Sequence, residues 1–208
     1  MQAPEQVTFW RGAFGDAYGE RNAPTEEAVQ AKIAVWARIL RALCGRQPGS
    51  ILEIGANNGL NLRALRQLTS ATLSALEPNT EARRHLARDG VVAQDRIHDG
   101  FASAIPLPDA AADLVFTSGV LIHIAPDDLP QACREIHRVA GRYIGCIEYF
   151  SDAPEEKPYR GHDGVLFKRD FGSFWLGQFP QLRVLDYGFF WKPVTGQDNL
   201  TWWLFEKN

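Results

Sequence analysis

The stretch ILEIGANNGLNLRAL, Ile51 to Leu65, decides how the rest of the chain is read. Ile51, Leu52 and Ile54 make an apolar run of strand length, and from Leu60 onward leucines return at helical spacing. The turn between them is Gly55-Ala56-Asn57-Asn58-Gly59. A strand that breaks into a helix across such a turn sets bare backbone beside a helix N-terminus, a place for a nucleotide-like ligand.

On the N-terminal side, Pro24 opens a helix that runs through Leu43, with Val29, Ile33, Trp36, Ile39, Leu40 and Leu43 on its apolar face. Gly45 and Pro48-Gly49 end it. On the C-terminal side, strand and helix alternate. A helix over 60–69 leads to a strand over 71–77, a helix over 79–88 and a strand over 91–98. A loop with Pro106 and Pro108 precedes a strand over 113–119, a helix over 127–139 and a strand over 142–150. That alternation predicts a doubly wound, Rossmann-like α/β sheet with helices on both faces. After Phe150 comes a polar segment, SDAPEEKPYRGHDG, then a short helix near 168–178. Two apolar strands, 182–190 and 199–207, form a hairpin at the sheet edge.

The expected organisation is a single domain. It has an N-terminal aromatic segment and helix (1–48), a cofactor-binding core (49–150), a substrate-side insertion and helix (151–181) and a closing hairpin (182–208). A chain of 208 residues supports one well-buried core, and two would be cramped. The net charge of −3 supplies no basic field, so neither nucleic acid nor an anionic membrane is an expected partner. No apolar run reaches the length of a membrane span, and the N-terminus lacks a signal-peptide core. Cys44, Cys133 and Cys146 show no ligand spacing and suit reduced thiols, which together predict a cytoplasmic protein. His85, His98 and His162 show no metal-ligand spacing either, and no metal is expected. Composition says nothing of the oligomeric state.

In a doubly wound sheet, ligands bind outside the carboxyl ends of the strands, where strand order reverses. Gly55 ends the first strand and Glu77 ends the second, where a carboxylate can accept both hydroxyls of an adenosine ribose. A dinucleotide needs glycine at the middle of its turn, and here that position is Asn57, whose side chain would crowd a pyrophosphate. Phosphates would also meet Glu53 and Glu77 with no basic residue in the turn, and the lysine of a P-loop is missing. A sulfonium nucleoside carries no phosphate and has a positive centre. The turn therefore favours S-adenosylmethionine.

These motifs resemble the class I S-adenosylmethionine-dependent methyltransferases: LEIGANNG their first motif, LEPN their second, IPLPDAAADLVFTSGVLIHI their third-to-fourth region. The resemblance spans most of 50–150 and implies a seven-stranded sheet whose last strand is antiparallel, in keeping with the closing hairpin. FWRGAFGDAYGERN, GVLIHI, YRGHDGVLFKRDFG and WWLFEK together resemble, more narrowly, the methylases associated with pseudaminic acid (nonulosonic sugar) biosynthesis. The resemblance implies cofactor contacts from Glu53, Gly55, Ala56, Asn57, Gly59, Glu77, Pro78, Asn79, Gly100, Phe101, Ser118 and Gly119. Where many class I enzymes carry an Asp for the adenine amino group, this chain has Phe101, against which the base can lie.

Methyl transfer needs positioning, and removal of a proton where the acceptor demands it. His123, Glu148 and Tyr149, near the ends of the fourth and fifth strands, are the candidate catalytic residues. A His of near-neutral pKa can accept a proton from a hydroxyl or ammonium. Strand alternation sends Glu148 and Tyr149 to opposite faces, so one of the two is expected in the cleft. In the insertion, Tyr159, Arg160, His162, Lys168 and Arg169 cluster donors suited to an anionic small molecule. Trp10, Phe14 and Tyr18 recur every four residues and form one helical face. That face makes a lid over the cofactor (Trp10, Tyr18) and the substrate (Phe14).

The expected activity is methyl transfer to an oxygen or nitrogen of a small polar, anionic metabolite such as a nonulosonic acid or its activated form. N-methylation of an amino acid or other small amine, an NAD- or nucleotide-sugar-dependent enzyme, and a non-catalytic binding protein are the alternatives.

Overall fold

In the computed structural model, which describes residues 5–208, two short helices open the chain: α1 (Glu5–Arg11) and α2 (Ala13–Arg21). Helix α3 (Glu26–Arg41) follows, begun by Thr25, whose hydroxyl accepts the Ala28 N–H at 3.2 Å, with Glu26 and Glu27 favourably placed in its first turn. Next come β1 (Ser50–Ile54), α4 (Leu60–Leu68), β2 (Thr72–Leu76), α5 (Thr80–Arg88) and β3 (Ile97–His98). The alternation continues with β4 (Ala112–Ser118), α6 (Leu129–Val139) and β5 (Ala140–Glu148). A two-stranded ribbon of β6 (Glu155–Glu156) and β7 (Phe167–Lys168) leads into α7 (Phe171–Gln178). The last elements are β8 (Arg183–Phe190), α8 (Lys192–Thr195) and β9 (Leu200–Glu206).

The main sheet has seven strands in the order β3-β2-β1-β4-β5-β9-β8. The strands from β3 to β5 pair in parallel, and β9 runs antiparallel to both its neighbours. This is the Rossmann-like sheet expected, closed by an antiparallel strand. Strand order reverses between β1 and β4, which places the binding crevice at their carboxyl ends.

Alternate residues of each strand feed two apolar layers. Ile51, Leu114, Phe116, Tyr143, Trp202 and Leu204 pack under α3 and α4, where fully buried Trp36 meets Phe116 edge-on at 4.4 Å. Leu52, Val115, Ile144, Cys146, Trp203 and Phe205 pack under α6 and α7. Glu206 binds the first layer's margin together: its carboxylate receives Arg46, Arg142 and Arg183.

Three elements differ from expectation. Gly12 divides the N-terminal helical face, leaving Trp10 on α1 and Phe14 and Tyr18 on α2. The strand predicted over 91–98 is reduced to Ile97–His98, after a 3₁₀ turn at Gln94–Arg96. The Val91 N–H is taken by the Leu86 carbonyl at the end of α5, so it cannot join a ladder, and Val91 and Val92 are buried as packing. Helix α7 begins at Phe171 rather than near 168, because Phe167 and Lys168 belong to the ribbon and Asp170 caps the Ser173 N–H at 2.9 Å.

Candidate active site

The turn after β1 is built from hydrogen bonds. The Gly55 and Ala56 N–H groups both reach the Leu76 carbonyl at the end of β2, at 2.8 and 3.2 Å. Gly55 adopts φ +71°, and a Cβ there would lie 2.7 Å from Val120, so the turn presses against the segment after β4. Asn57 also has positive φ, which asparagine tolerates better than most side chains. Glu77 ties the first two strand ends together: one oxygen accepts the Asn57 N–H at 2.6 Å and the other the Asn79 N–H at 2.8 Å. Burial raises its pKa, and those two N–H groups oppose the shift.

Above these turns is a cavity of about 380 Å³. Of the expected cofactor contacts, Glu53, Gly55, Ala56, Asn57, Glu77, Pro78, Asn79, Phe101, Ser118 and Gly119 line it, with Trp10 and Tyr18 from the N-terminal helices. Gly59 and Gly100 are elsewhere. A Cβ on Gly59 would strike Leu86 at 2.5 Å, and one on Gly100 would strike Leu76 at 2.8 Å, so both are packing glycines.

The far side of the cavity is formed by His123, Tyr149, Tyr159, Arg160 and Asp198. His123 stands on a 3₁₀ turn, Leu121–His123, where burial depresses its pKa to about 4 rather than the near-neutral value expected. Its Nδ1 lies 2.6 Å from the Val165 carbonyl, so Nδ1 carries the hydrogen and Nε2 is the bare acceptor nitrogen. Trp10 and Tyr159 flank the ring at 4.8 and 5.1 Å.

Alternation separates Glu148 from Tyr149, as expected. Tyr149 enters the cavity and donates its hydroxyl to Asp198 at 2.8 Å. Glu148 is fully buried and lies off the cavity wall. It accepts the N–H groups of Val120 and Leu121 at 3.2 Å and of Ile122 at 3.4 Å, so it holds the turn that presents His123. Burial pushes its pKa up to about 7 against those donors. Arg142 and Lys157 pair with Glu206 and Glu155, so neither neutralises it.

Of the insertion's donors, Tyr159 and Arg160 line the cavity. Arg160 has φ +51°, and its guanidinium stands over the Tyr159 ring at 5.7 Å. The other three turn away. His162 packs on Phe9 and Phe14, Lys168 stands over the Tyr149 ring at 5.2 Å on the outer side, and Arg169 covers Phe174 at 4.8 Å. Phe14 forms the outer layer of the aromatic cluster, 5.4 Å from Trp10 and 6.1 Å from Tyr159.

Residues not expected from the motifs also face the cavity, among them Lys32, Asn61 and Asp198. Lys32 carried a visible signal: it falls between Val29 and Trp36 on the apolar stripe of α3, an unusual place for an ammonium. The cavity accommodates an adenosine-bearing sulfonium by its chemistry. It has a strand-end carboxylate for the ribose, a glycine where backbone must come close, and no cation in the turn to receive phosphate.

Residues 52–142 match a family model described as a methyltransferase domain. No curated protein matches the chain. Among solved structures, a Burkholderia thailandensis 1,6-didemethyltoxoflavin-N1-methyltransferase, bound to 1,6-didemethyltoxoflavin and S-adenosylhomocysteine, superposes with TM-score 0.71 at 19% identity, covering 100% of this chain and 93% of that one. A Leishmania major S-adenosylmethionine-dependent methyltransferase gives 0.72 at 18% identity, covering 97% and 81%. Magnesium protoporphyrin IX methyltransferase from Synechocystis, with S-adenosylmethionine bound, gives 0.68 at 11% identity over 100% of both chains. At these identities the structures establish a shared fold. The matched model and the shared fold support S-adenosylmethionine-dependent methyl transfer as the activity to test.

Proposed function

We propose that the protein methylates an oxygen or nitrogen of a small polar metabolite held between His123, Tyr149, Tyr159 and Arg160. The observation that carries this is His123, whose Nδ1 is committed to the Val165 carbonyl while its ring lines the same cavity as the cofactor turn. The cofactor supplies an activated methyl group when bound. The chain's own work is then to orient the acceptor. Nε2 accepts a hydrogen bond from the acceptor's O–H or N–H and aims its lone pair inward. With a pKa near 4, His123 positions the nucleophile and is a weak proton acceptor. The aromatic rings of Trp10, Tyr18 and Tyr159 close over the cavity, with Trp10 and Tyr18 as a lid that excludes water.

Arg160 is the insertion's cation on the cavity wall, and its planar fork suits a carboxylate. A nonulosonic or other sugar acid, or its activated form, is therefore the first acceptor to assay. Asp198 favours the second reading, a small amine: it faces the same cavity, and aromatic faces also receive ammonium groups.

The test is release of S-adenosylhomocysteine from S-adenosylmethionine across a panel of sugar acids and a panel of amines. Turnover with a sugar acid that drops severalfold in kcat/KM for Arg160→Ala supports the first reading. Turnover confined to amines supports the second. Cofactor binding without turnover on either panel defeats both.

A further inference from the structure

The hairpin that carries Arg160 is built against local preference. Tyr159 and His162 exchange both main-chain hydrogen bonds, at 2.8 and 3.0 Å, so the loop between them has only Arg160 and Gly161. Both have positive φ, +51° and +83°. Two-residue loops of this kind favour Asn-Gly or Asp-Gly, and an arginine in the first place holds its backbone under strain. Such strain is kept where a side chain is needed in one position. Here the position is the rim of the cavity, where the guanidinium lies over the Tyr159 ring.

A second guanidinium comes to the same rim. Arg21, in the last turn of α2, stands over Phe14 at 5.5 Å and Tyr18 at 5.9 Å, and Phe14 packs on Tyr159 at 6.1 Å. Neither arginine is in an ion pair with a described residue; each stands over aromatic rings instead. Burial raises the Tyr18 pKa to about 12, and the charges of Arg160 and Arg21 both oppose that shift. Asp198, the carboxylate that also acts on Tyr18, is engaged by the Tyr149 hydroxyl and the Lys192 ammonium, which leaves the two guanidiniums without an anion.

We propose that Arg21 and Arg160 clamp a phosphoryl group of the methyl acceptor, which is then a phosphate monoester or a diphosphate rather than a free sugar acid. This rests on the methyltransferase reading of the cavity and narrows the class of acceptor it takes. A carboxylate has two oxygens, and one planar fork fills both. A second guanidinium would then face the first with no charge to offset it. A phosphoryl group carries about two negative charges and three acceptor oxygens, enough to engage both forks. The rings beneath the guanidiniums hold them extended over the rim and leave their N–H edges for the ligand.

The experiment is calorimetric titration of the S-adenosylhomocysteine-bound protein with inorganic phosphate, pyrophosphate and acetate. One of the phosphoryl probes should bind more tightly than acetate by about tenfold or more, phosphate pointing to a monoester and pyrophosphate to a diphosphate. Arg21→Gln and Arg160→Asn should each weaken that probe by about 10- to 100-fold, the range that hydrogen bonds to charged groups supply, with S-adenosylhomocysteine affinity unchanged. Arg169→Gln, which alters a cation packed on Phe174 away from the cavity, should bind the probe as the parent does. Asparagine suits positive φ, so Arg160→Asn should unfold at a temperature no lower than the parent; earlier unfolding would make Arg160 a structural residue and overturn the clamp. Acetate binding as tight as the phosphoryl probes, no binding of any of the three, a loss shared by Arg169→Gln, or no loss in Arg21→Gln also overturns it while sparing the methyltransferase reading. A parent protein that fails to bind S-adenosylhomocysteine overturns both.

Discussion

The side-chain amide of Asn58 donates to the main-chain carbonyl of Gly19 at 2.6 Å, joining the turn after β1 to helix α2. Asn79 does the same on the other side, reaching the Trp10 carbonyl at 3.2 Å and Asp16 at 2.8 Å. The aromatic helices are thus fastened to the two turns that build the cofactor crevice. Asn58→Ala removes one fastening without touching the α5 cap that Asn79 provides. Faster hydrogen exchange throughout α2 is expected, with S-adenosylhomocysteine affinity lowered by about two- to tenfold, the loss of one hydrogen bond. Exchange unchanged from the parent would mean that packing alone holds the helices.

Glu77→Gln replaces an acceptor with a donor opposite the Asn57 or Asn79 N–H. The turns should shift, and S-adenosylhomocysteine affinity should fall by about tenfold or more. Methylthioadenosine should lose affinity in parallel, because it keeps the ribose.

Glu148→Ala leaves three N–H groups of the segment Val120–Ile122 without their acceptor. The expected cost is about 2–4 kcal/mol of stability, typical of stranded buried donors. Denaturant unfolding measures it. Wild-type stability in this variant would show that the turn holds its shape unaided.

Glu53 makes the pH dependence of stability readable. Its folded pKa, about 8, lies above the unfolded value, so its contribution is fully present below the ordinary carboxylate range and is lost as pH rises through 8. Glu148, raised to about 7, acts in the same sense. His123, depressed to about 4, acts oppositely: stability is lost as pH falls from the ordinary histidine range toward 4. Lys32, also depressed, favours stability as pH rises. In a pH series of thermal unfolding, the advantage of Glu53→Gln over the parent should grow from about pH 5 to about pH 8, by about 2–4 °C per kcal/mol. A constant difference would mean that Glu53 keeps its charge throughout.

Much of the fold was legible because the decisive signals are local. The apolar runs of β1, β4 and β5 and the helical spacing of Leu60 to Leu68 each suffice for their element. The strand at 91–98 was misread because Val91 and Val92 look extended, yet their burial serves the end of α5, a tertiary fact. The site divided in the same way. Glu77 and Tyr149 follow from position at a strand end, but Gly59 and Gly100 resemble ligand glycines and are required by Leu86 and Leu76. Closeness in sequence also misled in the insertion. Arg160, Lys168 and Arg169 are near one another along the chain, whereas ribbon and loop geometry sends them to three different neighbours. Lys32 stands out on the apolar stripe of α3, but only the fold shows the carboxylates of Glu53 and Asp198 acting on it.

Strand β9 lies inside the sheet, between β5 and β8, although it is the last of the sheet's strands in sequence. A ribosome delivers β5 and β8 first, so β5 waits with one edge unpaired and β8, whose neighbour in the sheet is β9 alone, with both. Only when 200–206 emerges can it slip between them, burying Trp202 and Trp203 on opposite faces and bringing Glu206 to its three arginines. Until β9 appears, the open edges of β5 and β8 are therefore templates for non-native strand pairing.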